Sequence, residues 1–157
     1  MTRPSHHPAG RGAATATDRV TDALDSLGGT ATGPRRAIVD VLVSADRLQA
    51  PEQILAAARI LAPSTSLATV YRTLERLDAA GRVKRATLAS GAIGYAYCGG
   101  EHHDHAICTQ CGRVVPVGAC ATSAWEAPSG FRVESHELDF FGTCQGCSAG
   151  LAAAAPA

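Results

Sequence analysis

Four successive blocks of apolar residues between Asp18 and Gly81 repeat at the three-to-four spacing of a single helix face. Val20, Leu24 and Leu27 form the first block, closed by Gly28-Gly29, a pair suited to a helix C-terminus. Thr32-Gly33-Pro34 opens the second, with the proline near the first turn and Ile38, Val41 and Leu42 on one face. Pro51 starts the third, which carries Ile54, Leu55, Ala58 and Leu61 and stops before Pro63. Ser66 is placed to cap the fourth, in which Val70, Leu74 and Leu77 face inward and Gly81 ends the run. The pattern then changes. Val83 to Leu88 and Ala92 to Tyr97 read as two strands joined by a turn at Ala89-Ser90-Gly91. Helices followed directly by a two-stranded ribbon predict a winged helix-turn-helix.

Gly99-Gly100 marks a boundary. Beyond it, Ala106 to Cys108, Val114 to Val117 and Phe131 to Phe141 have the pattern of short strands, and a helical stretch spans Ala119 to Ala127 before Pro128. The class is therefore α+β: residues 18–98 a winged-helix domain, 99–100 a hinge and 101–148 a small α+β domain. A unit this short buries too little apolar surface to be stable alone and needs a staple. Residues 1–17 and 149–157 are too poor in large apolar side chains to pack and read as disordered tails, His6 and His7 included.

At 157 residues the chain has room for one ordinary domain or two small ones. It contains no apolar run of membrane-spanning length. The polar, Ala/Gly-rich start to Thr17 lacks the apolar stretch of a signal peptide, so a reducing, cytoplasmic setting is expected. The formal net charge of zero hides an asymmetry. Most Lys and Arg precede Ala89; after it only Arg113 and Arg132 stand against Glu101, Asp104, Glu126, Glu134, Glu137 and Asp139. A basic first half is suited to nucleic acid.

Two CxxC pairs, Cys108/Cys111 and Cys144/Cys147, supply the four thiolates of a closed tetrahedral zinc site. Two disulfides of a secreted domain are the competing reading, and a reducing compartment favours metal. The long gap from Cys111 to Cys144 calls for a strand-and-helix unit folded between the two knuckles. Gly112 and Gly146 stand where tight turns around the metal are expected. His102-His103-Asp104-His105 lies just ahead of the first pair. If that run is extended, His102 and Asp104 point to one face and His103 and His105 to the other, so one segment can feed two metal sites. Any one of these histidines could be a surface residue; three in four positions beside a zinc knuckle argue otherwise.

On the fourth helix, Ala68, Thr69, Tyr71, Arg72 and Glu75 lie on or beside the outward side. Small residues at the helix start permit close approach to a major-groove floor, and Thr69, Tyr71 and Arg72 can contact bases or phosphates. Arg35 and Arg36 before it, and Lys84 and Arg85 on the wing, are placed for phosphate contacts. An ordinary amphipathic helix with a solvated face would fit this segment equally well. The hairpin directly behind it favours DNA.

Pro34-Arg35-Arg36, the run Ser66 to Leu74, Glu101-His-His-Asp-His-Ala-Ile-Cys108, Cys111-Gly112 and Phe141-Gly-Thr-Cys-Gln-Gly-Cys147 together resemble the ferric uptake regulator superfamily, in consistent order from about Asp18 to Cys147. The resemblance implies a dimeric, metal-responsive transcription factor whose C-terminal domain dimerises and whose four cysteines hold a structural zinc. It implies a sensor site of His103 and His105 with Cys98 as third ligand, at the position where zinc uptake regulators place a cysteine. A packed cysteine is the alternative there. A thiolate among imidazoles favours zinc over iron or manganese. Lys84 stands where zinc regulators carry an aspartate ligand, so the fourth donor falls to Glu101, Asp78 or water. The histidine that iron- and nickel-type members supply near the third helix is missing from Arg47-Leu48-Gln49. A second regulatory site takes His102, Asp104 and His136; Ser123 replaces the usual glutamate, leaving Glu126 or Cys120 as substitutes.

The leading expectation is a zinc-sensing repressor of zinc-uptake genes that binds double-stranded operator DNA as a homodimer, with one structural and one or two regulatory zinc ions per subunit and no membrane partner. A sensor of iron, manganese, nickel or peroxide in the same superfamily is the alternative. A metallohydrolase would need an open metal position and a general base, and the chain has no HExxH-like helix and no obvious catalytic carboxylate pair, so no enzyme is expected. Constitutive DNA binding or zinc storage would follow if the Lys84 departure disables sensing.

Overall fold

A computed structural model describes residues 15–99, 103–117, 127–134 and 136–150. Four helices come first: α1 Ala16–Leu27, α2 Gly33–Ser44, α3 Pro51–Leu61 and α4 Leu67–Ala79. The expected tail gives way to helix two residues early. Thr15 caps α1 in a reciprocal box, its hydroxyl accepting from the Asp18 N–H while the Asp18 carboxylate accepts from the Thr15 N–H. Ser66 caps α4 through Thr69 N–H. The inward stripes meet in one core, in which Ala23, Ile38, Leu42, Ile54, Ala58, Val70, Leu74 and Leu77 are almost wholly buried. This packing decides which side of α4 is left to solvent.

The antiparallel wing consists of β1 Val83–Thr87 and β2 Ile93–Tyr97, in register from Val83 opposite Tyr97 to Thr87 opposite Ile93. Among the described residues three strands form the second sheet: β3 Asp104–Cys108, β4 Val114–Val117 and β5 Asp139–Gly142. Strand β3 is central, antiparallel to β4 and parallel to β5. A short helix, α5 Gln145–Ser148, follows β5.

Several expectations change. The long strand predicted from Phe131 to Phe141 shrinks to Asp139–Gly142, because β3 offers only a short edge; its residues 105–108 pair with 139–142. Phe131 and Val133 remain exposed outside any strand. Gly112 adopts the left-handed conformation expected of it (φ +71°), whereas Gly146 does not and lies within α5. The helix expected over 119–127, and the tails over 1–14 and 151–157, lie outside the described residues save for Ala127.

The segment between α2 and α3 does something the sequence did not announce. It joins the two sheets. Gln49 exchanges both backbone hydrogen bonds with Tyr95 of β2, at 2.9 Å each. On its other side Leu48 N–H donates to Gly112 O at 2.8 Å, and Val114 N–H donates to Asp46 O at 2.9 Å. Leu48, Ala96 and Ile107 form a second small core with Ala86, Leu88 and Val114 packed on it, so side chains from both sheets share it. A Cβ added at Gly94 would lie 2.9 Å from both Leu48 Cβ and Leu88 Cγ. Gly94→Ala should therefore overpack this junction and lower unfolding free energy by about 1–3 kcal/mol, read from the urea midpoint.

Candidate metal centres and nucleic-acid interface

Each knuckle takes its cysteines from the end of a strand and the turn or helix after it. Cys108 ends β3, Cys111 sits in the turn that reverses into β4, Cys144 precedes α5 and Cys147 lies within it. Gly112 N–H donates to Cys108 O, closing the first turn, while Ser148 N–H donates to Cys144 O in the second. The parallel β3–β5 pairing sets Cys108 opposite Gly142 and so draws the two knuckles together. Cys108 Sγ lies 3.7 Å from Cys147 Sγ, and Cys111 Sγ 3.8 Å from Cys144 Sγ. All four sulfurs lie within 4.8 Å of one another. A tetrahedron with arms of about 2.3 Å has edges of about 3.8 Å, so the cage has the size of a thiolate-bound zinc ion, and the cysteines are not disulfide-bonded.

The thiols are set up unequally. Burial pushes the Cys108 thiol up, but N–H groups of Cys111, Cys144 and Gln110 more than offset this and bring it to about 6. Hydrogen bonding from Cys147 lowers Cys144 too, whereas desolvation and the neighbouring sulfurs push Cys147 up to about 12. Four thiolates this close require a cation to ionise together.

The histidine run splits as its alternation requires. Asp104, fully buried, faces His136, whose Nε2 is 3.9 Å from Asp104 Oδ1. His105 points the other way, its ring 4.5 Å from that of His103. His102, Cys120, Ser123 and Glu126 lie outside the described residues, as does Glu101. Cys98, His103 and His105 all line one cavity of about 870 Å³ between α1, the ends of α2 and β2, and the second sheet. Among the described residues only the four cysteines have ligand atoms close enough for a single ion as they stand. His105 Nε2 is nonetheless buried without a hydrogen-bond partner. Burial, then the neighbouring His103 and Lys84, lowers the His105 pKa and keeps the ring neutral, the form that ligates metals. Burial pushes the Cys98 thiol up to about 11, and its Sγ contacts Gly81 O and Gly99 O at 3.8 Å. A metal at Cys98 must displace that proton. The donor set, a thiol and two imidazoles, fits zinc. Asp78, one candidate for the fourth donor, is paired instead with Arg85 at 3.6 Å.

Lys84 is not open to solvent as a phosphate contact would require. It is buried, with Nζ 2.8 Å from Asp139 Oδ2 and 3.7 Å from Glu137 Oε2. Position 84 begins the wing beside Val83 and faces β5, so its amine is withdrawn from any phosphate. Burial works against the ammonium, and the two carboxylates outweigh it, leaving the pKa above the ordinary value.

Most of the other predicted DNA contacts are open to solvent; Arg35 is half-buried and donates to Thr30 O at 3.1 Å. Ala68, Tyr71, Arg72 and Glu75 are exposed on α4, and Thr69 is half-buried. Arg36 is exposed and loosely paired with Asp40 at 3.8 Å; Arg85 is exposed on the wing. Arg35 and Arg72 meet Arg76 around a groove of about 410 Å³ between the start of α2 and α4, lined otherwise by Thr32, Thr69 and Thr73. Among the described residues no carboxylate lines it. Thr32 gives no side-chain cap, so the first N–H groups of α2 add to the positive field. Arg76 and Thr73 were missed from sequence, although Arg72 and Arg76 are one helical turn apart on α4.

Residues 26–141 match the sequence model of the Ferric uptake regulator family. The chain belongs to that family. It is 33% identical over 132 residues to the ferric uptake regulation protein of Bordetella parapertussis, covering 81% of this chain and 95% of that one. It is 31% identical over 128 residues to the zinc uptake regulation protein of Mycobacterium tuberculosis, covering 79% and 98%. The fold superposes on the iron-containing ferric uptake regulator of Francisella tularensis with a TM-score of 0.60 and 26% identity, over 77% of this chain and 96% of that chain. The α+β fold agrees with that family's, and these relatives are regulators, not enzymes. No helix among the described residues is long and apolar enough to cross a membrane.

Cys108→Ser and Cys144→Ser each leave an incomplete cage. Both should abolish tight metal retention and unfold the second sheet, read as zinc content after gel filtration and loss of amide dispersion for residues 104–117.

Proposed function

We propose that the chain is a zinc-responsive transcriptional repressor that binds operator DNA as a homodimer. The observation that carries this reading is the gathering of Cys98, His103 and His105 on one cavity, with a buried, unpartnered His105 Nε2. Cys98 follows wing strand β2, while His103 and His105 lie at and beside the start of β3. Gly99, with φ +75°, stands between them and supports a hinge there, with 18–98 as the reading domain and 101–148 as the dimerising one. Bound zinc would supply a common centre for one thiolate and two imidazoles. Donors on both sides of the hinge then hold the wing, and with it α4, at a defined angle to the second sheet. Metal that favours the DNA-competent angle is by linkage held more tightly when DNA is present. Asp104 and His136 would serve a second regulatory site.

Homodimer formation is supported by the apolar groups that the second sheet leaves exposed, Val115, Phe140 and Phe141. Two copies would present two α4 helices to two half-sites. On each, Tyr71 and Arg72 would face base edges, while the groove of Arg35, Arg72 and Arg76 would take backbone phosphate. An iron-type sensor is the second reading, favoured by the equal resemblance to the Bordetella ferric regulator. The bridging thiol favours zinc.

Operator affinity measured with zinc, iron, manganese and nickel in turn tests the metal: zinc should give the largest gain, and an equal or larger gain with iron would transfer the assignment. Cys98→Ser should keep the cysteine-cage zinc and the dimer yet lose most of the zinc-dependent gain. Tyr71→Ala and Arg72→Ala should each weaken operator binding by about 1–3 kcal/mol at unchanged zinc content, by fluorescence anisotropy.

A further inference from the structure

The cavity assigned to the regulatory metal has a resident cation beside it. Lys84 Nζ sits 2.8 Å from Asp139 Oδ2, and the other oxygen of the same carboxylate, Oδ1, is 3.9 Å from His105 Nδ1. Lys84 belongs to β1 of the wing and Asp139 to β5 of the second sheet, so the pair crosses the joint between the halves. The Lys84 side chain is only 9% exposed and Asp139 21%, so solvent screens this pair far less than the surface pairs Arg36–Asp40 or Arg85–Asp78. The same joint carries the backbone bridges of Asp46 and Leu48 to Val114 and Gly112, and the shared packing of Leu48, Ala96 and Ile107. Apart from the 3.9 Å approach of His105 to Asp139, none of these contacts uses a proposed metal ligand.

We propose that Lys84 is a built-in cation at the joint, which holds the DNA-binding half docked on the second sheet in protein whose only metal is at the four cysteines. This deepens the reading above and rests on it for the place of the regulatory site. On that footing regulatory metal strengthens a docking that already exists. Removing either partner leaves the other as a covered, uncompensated charge, so losing Lys84 or Asp139 opens the joint. The pair also narrows metal response, because a divalent ion at His105 must share Asp139's field with an ammonium that is already there.

The test needs neither DNA nor regulatory metal. Protein stripped by mild chelation to one zinc per subunit is followed by hydrogen–deuterium exchange at the Leu48 and Val114 amides, which donate across the joint. In the unsubstituted chain both should be protected. In Lys84→Gln and in Asp139→Asn both should exchange at least about tenfold faster, while the Leu42 and Leu74 amides of the helical core and the cysteine-cage zinc stay unchanged. Lys84→Arg, which keeps the charge, should restore most of the protection. Unprotected Leu48 and Val114 amides in the unsubstituted one-zinc protein would overturn the proposal, as would unchanged protection in both uncharged variants. If Lys84→Gln loses its core protection as well, Asp139→Asn decides. Because the readout contains no operator and no sensed metal, a failed zinc titration would leave this result standing, and the reverse.

Discussion

The size of the four-sulfur cage is the constraint from which the second half of the molecule follows. Sulfurs 3.7–3.8 Å apart demand that the ends of β3 and β5 lie side by side. Strands joined this way, entering one cage from the same direction, run parallel, and β3 and β5 do. Parallel pairing over 105–108 and 139–142 places Asp139 opposite His105. A metal site thus determines where a carboxylate far from it sits, and that carboxylate meets the wing through Lys84. Without a cation, four neighbouring thiols cannot all ionise, and a three-stranded sheet with exposed Phe140 and Phe141 has little core to hold that register.

The joint between the halves combines two kinds of force. Leu48 wedges against Gly94 and Gly112, where the lack of a side chain lets backbones approach, and this apolar contact is short-ranged and insensitive to charge. Lys84 with Asp139 adds an electrostatic tie under cover from solvent. Cys98, His103 and His105, the proposed donors of a regulatory site, line the cavity beside both. A ligand bound at a joint that is already partly closed can change its angle or stiffness only by small amounts.

On the opposite side of the winged helix the charge has another use. Inward packing of Val70, Leu74 and Leu77 leaves Tyr71, Arg72 and Arg76 to solvent. The start of α2 comes to lie beside them, so Arg35, Arg72 and Arg76 line one groove. Carboxylate pairing on that side, as between Arg36 and Asp40, is loose and exposed. The chain's one lysine, Lys84, is tightly paired and faces inward.

Local patterns determined most of the elements. Helical spacing, Pro34, Pro51, the Ser66 cap and the glycines after α1 and α4 placed four helices, and the period-two run after Gly81 placed the wing, because these signals act within a few residues of chain. The CxxC pairs named the metal cage for the same reason: the ligands carry their chemistry in their spacing. Tertiary structure decided what depends on pairing between distant segments. Phe131 to Glu134 has a strand pattern yet lies outside any strand, because the pairing of β5 with β3 begins only at Asp139. Residues 46–49 carry no strand signal yet bridge two sheets through backbone groups whose partners, Tyr95, Gly112 and Val114, lie more than forty residues away. In sequence Lys84 reads as a solvent-facing wing cation like its neighbour Arg85, which is exposed. Only the approach of β5 turns it inward, since a buried ammonium requires the Asp139 carboxylate, and nothing near position 84 in the chain foretells that partner.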